Sequence, residues 1–199
     1  MTSRKILRQA SITRNTKETS IDVKILLDGN GKSTIKCPLG FWSHMLELFS
    51  FFGRFDITLK ASGDVYVDDH HLVEDMGICI GQAFNKALKD AKGIARFGYA
   101  IIPMDETLVQ VALDISGRPF LGFSIPIIKS RVGCVDIENL QEFMRAFTNH
   151  ACINLHLKLF SGENTHHICE AVFKGLGIAL RQAIMVENKR VSSTKGKLD

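Results

Sequence analysis

The period of apolar and polar positions along this chain changes several times, and each change marks an element. In "KETSIDVKILLDGNGKSTIKC" (17–37) and "DETLVQVALDISGRPFLGFSI" (105–125), apolar residues alternate with polar ones on either side of a glycine-containing break, which predicts strand, tight turn, strand in each. "DITLKASG" (56–63) and "INLHLKLFSG" (153–162) also read as strands. By contrast, "MGICIGQAFNKAL" (76–88) and "AVFKGLGIALRQAI" (171–184) place apolar residues at helical spacing, and "SHMLELFSFF" (43–52) and "QEFMRAFTNH" (141–150) predict shorter amphipathic helices.

Set side by side, the two halves are one pattern written twice. His70 and His166 stand 96 positions apart, as do Glu74 and Glu170, and at the same offset Gly81, Ala83 and Ala87 match Gly177, Ala179 and Ala183. Upstream, both halves place Glu-Thr ten residues before the turn glycine, Thr19 to Gly29 and Thr107 to Gly117, as if they shared a hairpin. Matching the shorter helices sets His44 opposite Glu142 and Phe49 opposite Phe147. Each half therefore carries strands, a helix, another strand and a second helix. This order predicts an α+β fold of two-layer sandwiches, one sheet covered by two helices, duplicated within the chain. The expected divisions are 1–91 for the first repeat, 92–185 for the second and 186–199 for a polar tail, "VENKRVSSTKGKLD", with little to bury.

Composition narrows the classes of function. With 199 residues, 45% of them hydrophobic, the chain can bury a substantial core. The longest uncharged run, Ala146 to Leu157, is too short for a membrane span, and the N-terminus lacks an apolar secretory segment, so a cytoplasmic protein with no membrane partner is expected. Five cysteines (Cys37, Cys79, Cys134, Cys152, Cys169) without a C-x-x-C pair argue against a disulfide framework or a thiolate zinc site and read as small buried hydrophobes. The net charge of +4 comes with no long basic run and no interleaved aromatics, which argues against nucleic acid and suits a phosphorylated small molecule.

The candidate chemistry lies in "VDDHHLVED" (67–75) and "NTHHICEAV" (164–172), where each histidine doublet is followed by a glutamate. Neighbouring helical residues point about 100° apart, whereas i and i+4 share a face, so Glu74 can join one histidine of its doublet while the other serves a different ion. Two histidines and a glutamate per motif, with His44 and Glu142 added, make eight ligands: His44, His70, His71, Glu74, Glu142, His166, His167 and Glu170. Eight divide into two sites of four, each leaving an octahedral ion open positions for substrate. Imidazole and carboxylate without thiolate suit Mn²⁺, Fe²⁺ or Zn²⁺ more than Ca²⁺. The H-E-x-x-H pattern of metalloproteases is missing, because neither doublet has an adjacent Glu or a second His four residues on. A metal-storage protein remains a non-catalytic alternative from the residues alone. His150 and His156 are assigned to structural hydrogen bonds.

The segments "KET", "SHMLE", "GDVYVDDHHLVEDMGICIGQA", "RFGYAIIPMDETL", "DISGRP", "GENTHHICEAVFKGLGIALRQA" and "SSTKG" together resemble the imidazoleglycerol-phosphate dehydratases of histidine biosynthesis, over about Arg14 to Gly196. That resemblance implies duplicated units of the ribosomal protein S5 domain 2-like type. It further implies a homo-oligomer of twenty-four subunits with shared active sites, two Mn²⁺ per site, and conversion of D-erythro-imidazole glycerol phosphate to imidazole acetol phosphate. The proton to be removed is not next to a carbonyl, so the substrate ring must relay electrons. Metal ions at its two nitrogens would favour the imidazolate, and the hydroxyl would leave through a diazafulvene-like intermediate. His71, Glu74, His167 and Glu170 are the implied catalytic ligands, and Glu18 matches an acid of the family's substrate site. Arg96, Arg118, Lys174, Ser193 and Lys195 match positions that bind substrate, mostly its phosphate. The resemblance also implies that the tail orders on a neighbouring site when ligand binds. Two positions depart from the family, Ser43 where Asp or Asn is usual and Phe52 where His is common, and Glu142 stands where other members carry His or Glu.

Overall fold

A computed structural model describes residues 7–126, 131–133, 135–187 and 192–193. Strands β1 (Gln9–Asn15), β2 (Thr19–Leu26) and β3 (Ser33–Lys36) precede helix α1 (Gly40–Gly53), strand β4 (Asp56–Gly63) and helix α2 (His70–Leu88). The series then repeats as β5 (Phe97–Met104), β6 (Thr107–Asp114), β7 (Phe120–Ser124), two-residue strands β8 (Arg131–Val132) and β9 (Val135–Asp136), α3 (Asn139–Ala151), β10 (Asn154–Ser161) and α4 (Thr165–Ala183). The result is an α+β fold with a repeated unit, as the duplicated pattern predicts. Three of the predicted elements match closely: β4 coincides with "DITLKASG", and each H-H-x-x-E motif opens a long helix, α2 or α4.

The expected hairpin is not formed. The sheets run β1-β2-β4-β3 and β5-β6-β10-β7, so β4 lies between β2 and β3, and β10 lies between β6 and β7. β3 pairs parallel to β4 and β7 parallel to β10, each pair joined through a helical crossover. The true hairpins are β1–β2 and β5–β6, whose first strands, "QASITRN" and "FGYAIIPM", are absent from the sequence-based reading. Their turns fall at Thr16–Glu18 and Asp105–Glu106, a placement that matters for the site.

Alternation in β2 sends Thr19, Ile21, Val23 and Ile25 inward, and every second residue of β6 is likewise buried. The inner faces carry helices that pack across the repeats: α1 lies on α4, and α2 on α3. Glycines let these pairs run parallel at close range. A Cβ on Gly177 would come within 2.7 Å of Phe49 O and 2.8 Å of Gly53 N, and one on the matched Gly81 within 2.7 Å of Phe147 O. Trp42, Phe143 and Phe173 meet where the pairs join, with centroids 5.3–5.9 Å apart, and fuse the halves into one core. α1 and α3 end alike, at Arg54 and Cys152, both in the left-handed region at φ 55°.

The outer faces of the two sheets differ. Across the first run Thr13, Asp22 and Lys60, then Ser11, Lys24 and Thr58, all polar. The second exposes Phe97, Tyr99, Ile101, Phe120 and Phe160. Among the described cysteines only Cys79 and Cys169 are buried, Cys37 and Cys152 are half-buried, and Cys134 lies outside the described residues. Among the described residues no helix is long and apolar enough to cross a membrane.

Candidate functional site

Helix capping places both doublets. The Asn164 side chain accepts hydrogen bonds from the backbone N–H groups of His166 (3.0 Å) and His167 (3.4 Å), so α4 starts where its imidazoles are presented. At α2 the corresponding bond comes from Asp68, whose Oδ1 accepts from His70 N at 2.9 Å. The next residue, Asp69, is buried and spends its carboxylate on tertiary contacts, accepting from Asn139 Nδ2 at 2.9 Å and Asp136 N at 3.3 Å. Burial pushes its pKa up.

Because α1 lies parallel on α4, His44 of the first repeat reaches the second repeat's motif. Its Nε2 stands 3.1 Å from Glu170 Oε1, and His166 Nε2 stands 2.9 Å from the same oxygen. The other oxygen, Oε2, accepts from Lys174 Nζ at 2.7 Å, and that ammonium also lies 3.5 Å from Met104 Sδ. Burial alone would raise the Glu170 pKa, yet the bonds from Lys174, His44 and His166 outweigh it and bring it down to about 2. The carboxylate is therefore charged, with one oxygen turned to two imidazoles and the other to an ammonium. The donor atoms of His44, His166 and Glu170 lie within 4.8 Å of one another, and this nitrogen and oxygen set fits a divalent first-row cation.

Of the remaining ligand candidates, His167 gathers with two acids of the β5–β6 turn and not with another candidate: its ring nitrogen and the carboxylate oxygens of Asp105 and Glu106 lie within 4.8 Å of one another. His70 Nε2 is 3.6 Å from Glu74 Oε2, but Glu142, the counterpart of His44, is bound by Arg145 of its own helix, whose Nη1 reaches both carboxylate oxygens at 2.6 and 2.5 Å. His71 and His167 turn away from their helix partners. His71 Nδ1 lies 3.1 Å from Asp64 Oδ2, and His167 Nδ1 lies 3.0 Å from Glu106 Oε2 and 3.9 Å from Asp105 Oδ2. The His71 pKa is raised chiefly by the Asp64 hydrogen bond, with the charge of Glu18 adding to it. Glu106 is drawn down to about 2, chiefly by His167 and then by the Asn164 backbone N–H. Eight ligands in two sites of four do not assemble within one chain: among the described residues His44, His166 and Glu170 close one cluster, His167 sits with Asp105 and Glu106, and His70 and His71 bond to Asn139 and Asp64. Ser43 does not steady His44, since its hydroxyl donates back to Leu39 O at 3.2 Å. Phe52 puts its ring 5.8 Å from Lys174 Nζ.

Most of the residues matched to phosphate binding sit elsewhere. Arg96 forms a forked pair with Asp114 at 2.6 and 3.0 Å, and its Nη1 donates to Ser192 O at 2.8 Å, beside Ser193. Its backbone N–H donates to Ala183 O, at the far end of α4 from the histidines. Arg118 belongs to the same end, since Ile115 N donates to Arg96 O and Gly117 N to Cys152 O. From Thr165 to Ala183 the helix rises about 27 Å at about 1.5 Å per residue. Lys174 alone stands at the cluster, and Lys195 lies outside the described residues. His150 behaves as expected, its Nδ1 2.9 Å from Ala146 O, whereas His156 packs its ring against Phe120 at 5.5 Å and makes no side-chain hydrogen bond among the described residues.

The sequence reading missed Asp64, Asp69, Glu106 and Asn139. The sequence carries one signal for them: Glu106-Thr107 is the repeat of Glu18-Thr19.

Fold and cluster together define a duplicated α+β enzyme whose imidazoles and carboxylate come from helix starts of both repeats. The family model described as imidazoleglycerol-phosphate dehydratase matches residues 37–180. The imidazoleglycerol-phosphate dehydratases of Methylorubrum populi and Caldicellulosiruptor bescii are 52% and 47% identical, each over 96% of this chain and 100% and 98% of their own length. The crystal structure of the Pyrococcus furiosus enzyme superposes with a TM-score of 0.82 at 41% identity, covering 94% of this chain and 100% of that one. The chain belongs to the imidazoleglycerol-phosphate dehydratase family, lyases of histidine biosynthesis.

Proposed function

We propose that the chain converts D-erythro-imidazole glycerol phosphate to imidazole acetol phosphate with two divalent cations, Mn²⁺ first among them, at sites shared between copies in an assembly of twenty-four. The observation that carries the metal reading is the convergence of His44, His166 and Glu170, with Glu170 held ionised. Bound cations would supply Lewis-acid charge at the ring nitrogens. The chain's own residues do the rest. Glu170 keeps Oε1 toward the imidazoles while Lys174 holds Oε2, which leaves the ammonium beside the cluster for the substrate's phosphate. Glu18, exposed at the β1–β2 turn with its charge acting on His71, would hold the proton removed from carbon.

Two observations favour shared sites. Arg96, Arg118 and Ser193 lie toward the opposite end of α4 from the cluster, with about 20 Å of helix between Glu170 and Ala183, more than a small phosphorylated imidazole spans, so they would act at the cluster of another copy. His70, His71 and Glu74, which close no cluster with a further ligand among the described residues, would likewise complete a site with residues of another copy. The exposed apolar residues of the second sheet supply a surface that assembly would cover.

Metal-free protein mixed with Mn²⁺ and imidazole glycerol phosphate should yield the ketone product. A properly assembled, Mn²⁺-loaded sample that yields none overturns the reading, and far fewer than two bound ions per chain overturns its metal component.

A further inference from the structure

Four of the groups nearest the histidine doublets have no role in the reading above, and three imidazoles share one feature through them. His71 Nδ1 meets Asp64 Oδ2 at 3.1 Å, His167 Nδ1 meets Glu106 Oε2 at 3.0 Å, and His70 Nδ1 meets Asn139 Oδ1 at 3.1 Å. In each case the partner atom is an oxygen and the ring atom is Nδ1. We propose that Asp64, Glu106 and the Asn139–Asp69 pair are positioning residues that fix these histidines as Nδ1–H tautomers, so that Nε2 of each is the bare nitrogen offered to a cation. The inference rests on the metal-dependent reading, and it names which nitrogen ligates and what makes it do so.

The hydrogen-bond inventory forces the assignment. An ionised carboxylate only accepts, so the nitrogen facing it must carry the proton, and a neutral imidazole then has its lone pair on Nε2. Asn139 alone could face His70 with either its oxygen or its nitrogen. Its Nδ2, however, donates to Asp69 Oδ1 at 2.9 Å, and Asp69 Oδ2 accepts from Asp136 N, so the amide must present its oxygen to His70. Asp69, buried at the start of α2, thus passes its charge to His70 through the amide. His44 and His166 lie outside this rule: each turns Nε2 to the ionised Glu170, so in the metal-free protein the proton sits on Nε2 there and must leave when a cation takes its place.

The two repeats reach this bond by different routes. In the first half the acceptor follows the last strand, Asp64 after Gly63. The corresponding Gly162-Glu163 of the second half is not used, and Glu163 makes no hydrogen bond among the described residues. There the acceptor is Glu106, from the turn before β6, whose counterpart in the first half is Glu18. Duplication alone would have preserved one route; what is shared is the bond to Nδ1. An outer partner of this kind raises ligand basicity and fixes ring orientation, and its loss costs about 10–100-fold in metal affinity.

The test uses ¹⁵N-labelled, metal-free, full-length protein, at a pH where the imidazoles are neutral. Two-bond ¹H–¹⁵N correlations should show His70, His71 and His167 as Nδ1–H tautomers, with Asp64→Ala and Glu106→Ala each converting its own histidine to Nε2–H. Calorimetric titration with Mn²⁺ should then show roughly 10–100-fold weaker binding in either variant. Asp64→Asn and Glu106→Gln, which keep an acceptor oxygen, should recover part of it. Glu106 is half-exposed, so its variants remain informative should the Asp64 variants misfold. Nε2–H tautomers in the wild type, or unchanged Mn²⁺ affinity in Glu106→Ala, would overturn the proposal. Wild-type protein that takes up no Mn²⁺ would instead overturn the metal reading on which it rests, so the two failures are told apart.

Discussion

Replacing Gly177 by Ala tests the geometric basis of the site without touching any side chain in it. The new Cβ would lie 2.7 Å from Phe49 O and 2.8 Å from Gly53 N, where ordinary contact begins at 3.4 Å, so α1 must withdraw by the difference, about 0.7 Å. Both obstructing atoms belong to the α1 backbone and cannot rotate away, which places the cost near the upper end of the about 1–3 kcal/mol typical of overpacking. Alanine regains about 1 kcal/mol of helix propensity, leaving a net loss of about 2 kcal/mol. Because His44 is carried by the same helix, its 3.1 Å contact with Glu170 should lengthen as well. Urea unfolding of the metal-free protein, with Mn²⁺ titration on the same samples, reads both effects. Gly40→Ala is the control: its Cβ would meet nothing within 4 Å, and the variant should match or slightly exceed the wild type. If Gly177→Ala is as stable as Gly40→Ala and binds Mn²⁺ as well, close helix approach does not set the site.

Acid sensitivity should report on Glu170. Its folded pKa of about 2 lies below the ordinary 4.5, so its stabilisation is complete above pH 4.5 and is lost as pH falls toward 2. Lys174→Met removes one cause of that depression and should narrow the stability difference between pH 6 and pH 3 in urea titrations; an unchanged difference would show that the ammonium does not hold the carboxylate. His167→Ala should lose dehydration and weaken Mn²⁺ binding by more than the about 10–100-fold expected for an outer partner, measured by product formation and calorimetry. Phe52→His would place an imidazole beside Lys174 and should lower KM about fivefold, the worth of one hydrogen bond of about 1 kcal/mol; a KM that stays or rises would deny Phe52 a place at the substrate. Burial pushes the Cys79 and Cys169 thiols up to about 11 and about 12, so both should resist a disulfide reagent that modifies Cys152 in the native protein.

What the sequence determined by itself is whatever depends on local period and on repetition. Helical spacing after each doublet located α2 and α4, and the 96-residue offset paired Gly81 with Gly177 before any packing was known. The family was legible for the same reason, since its motifs are short and contiguous. Contacts between distant segments required the tertiary structure. The insertion of β4 between β2 and β3 replaced the expected hairpin, because a parallel pair joined by a helical crossover leaves the same alternation in the sequence as an antiparallel one. The pairing of α1 with α4 decided that His44 meets Glu170 and not Glu74. Aligned side by side, His44 and Glu142 look equivalent, yet Arg145 three residues on captures Glu142 and no such cation follows His44. Asp64, Glu106 and Asn139 carry no motif of their own; an acceptor becomes significant only when folding brings it to an imidazole nitrogen.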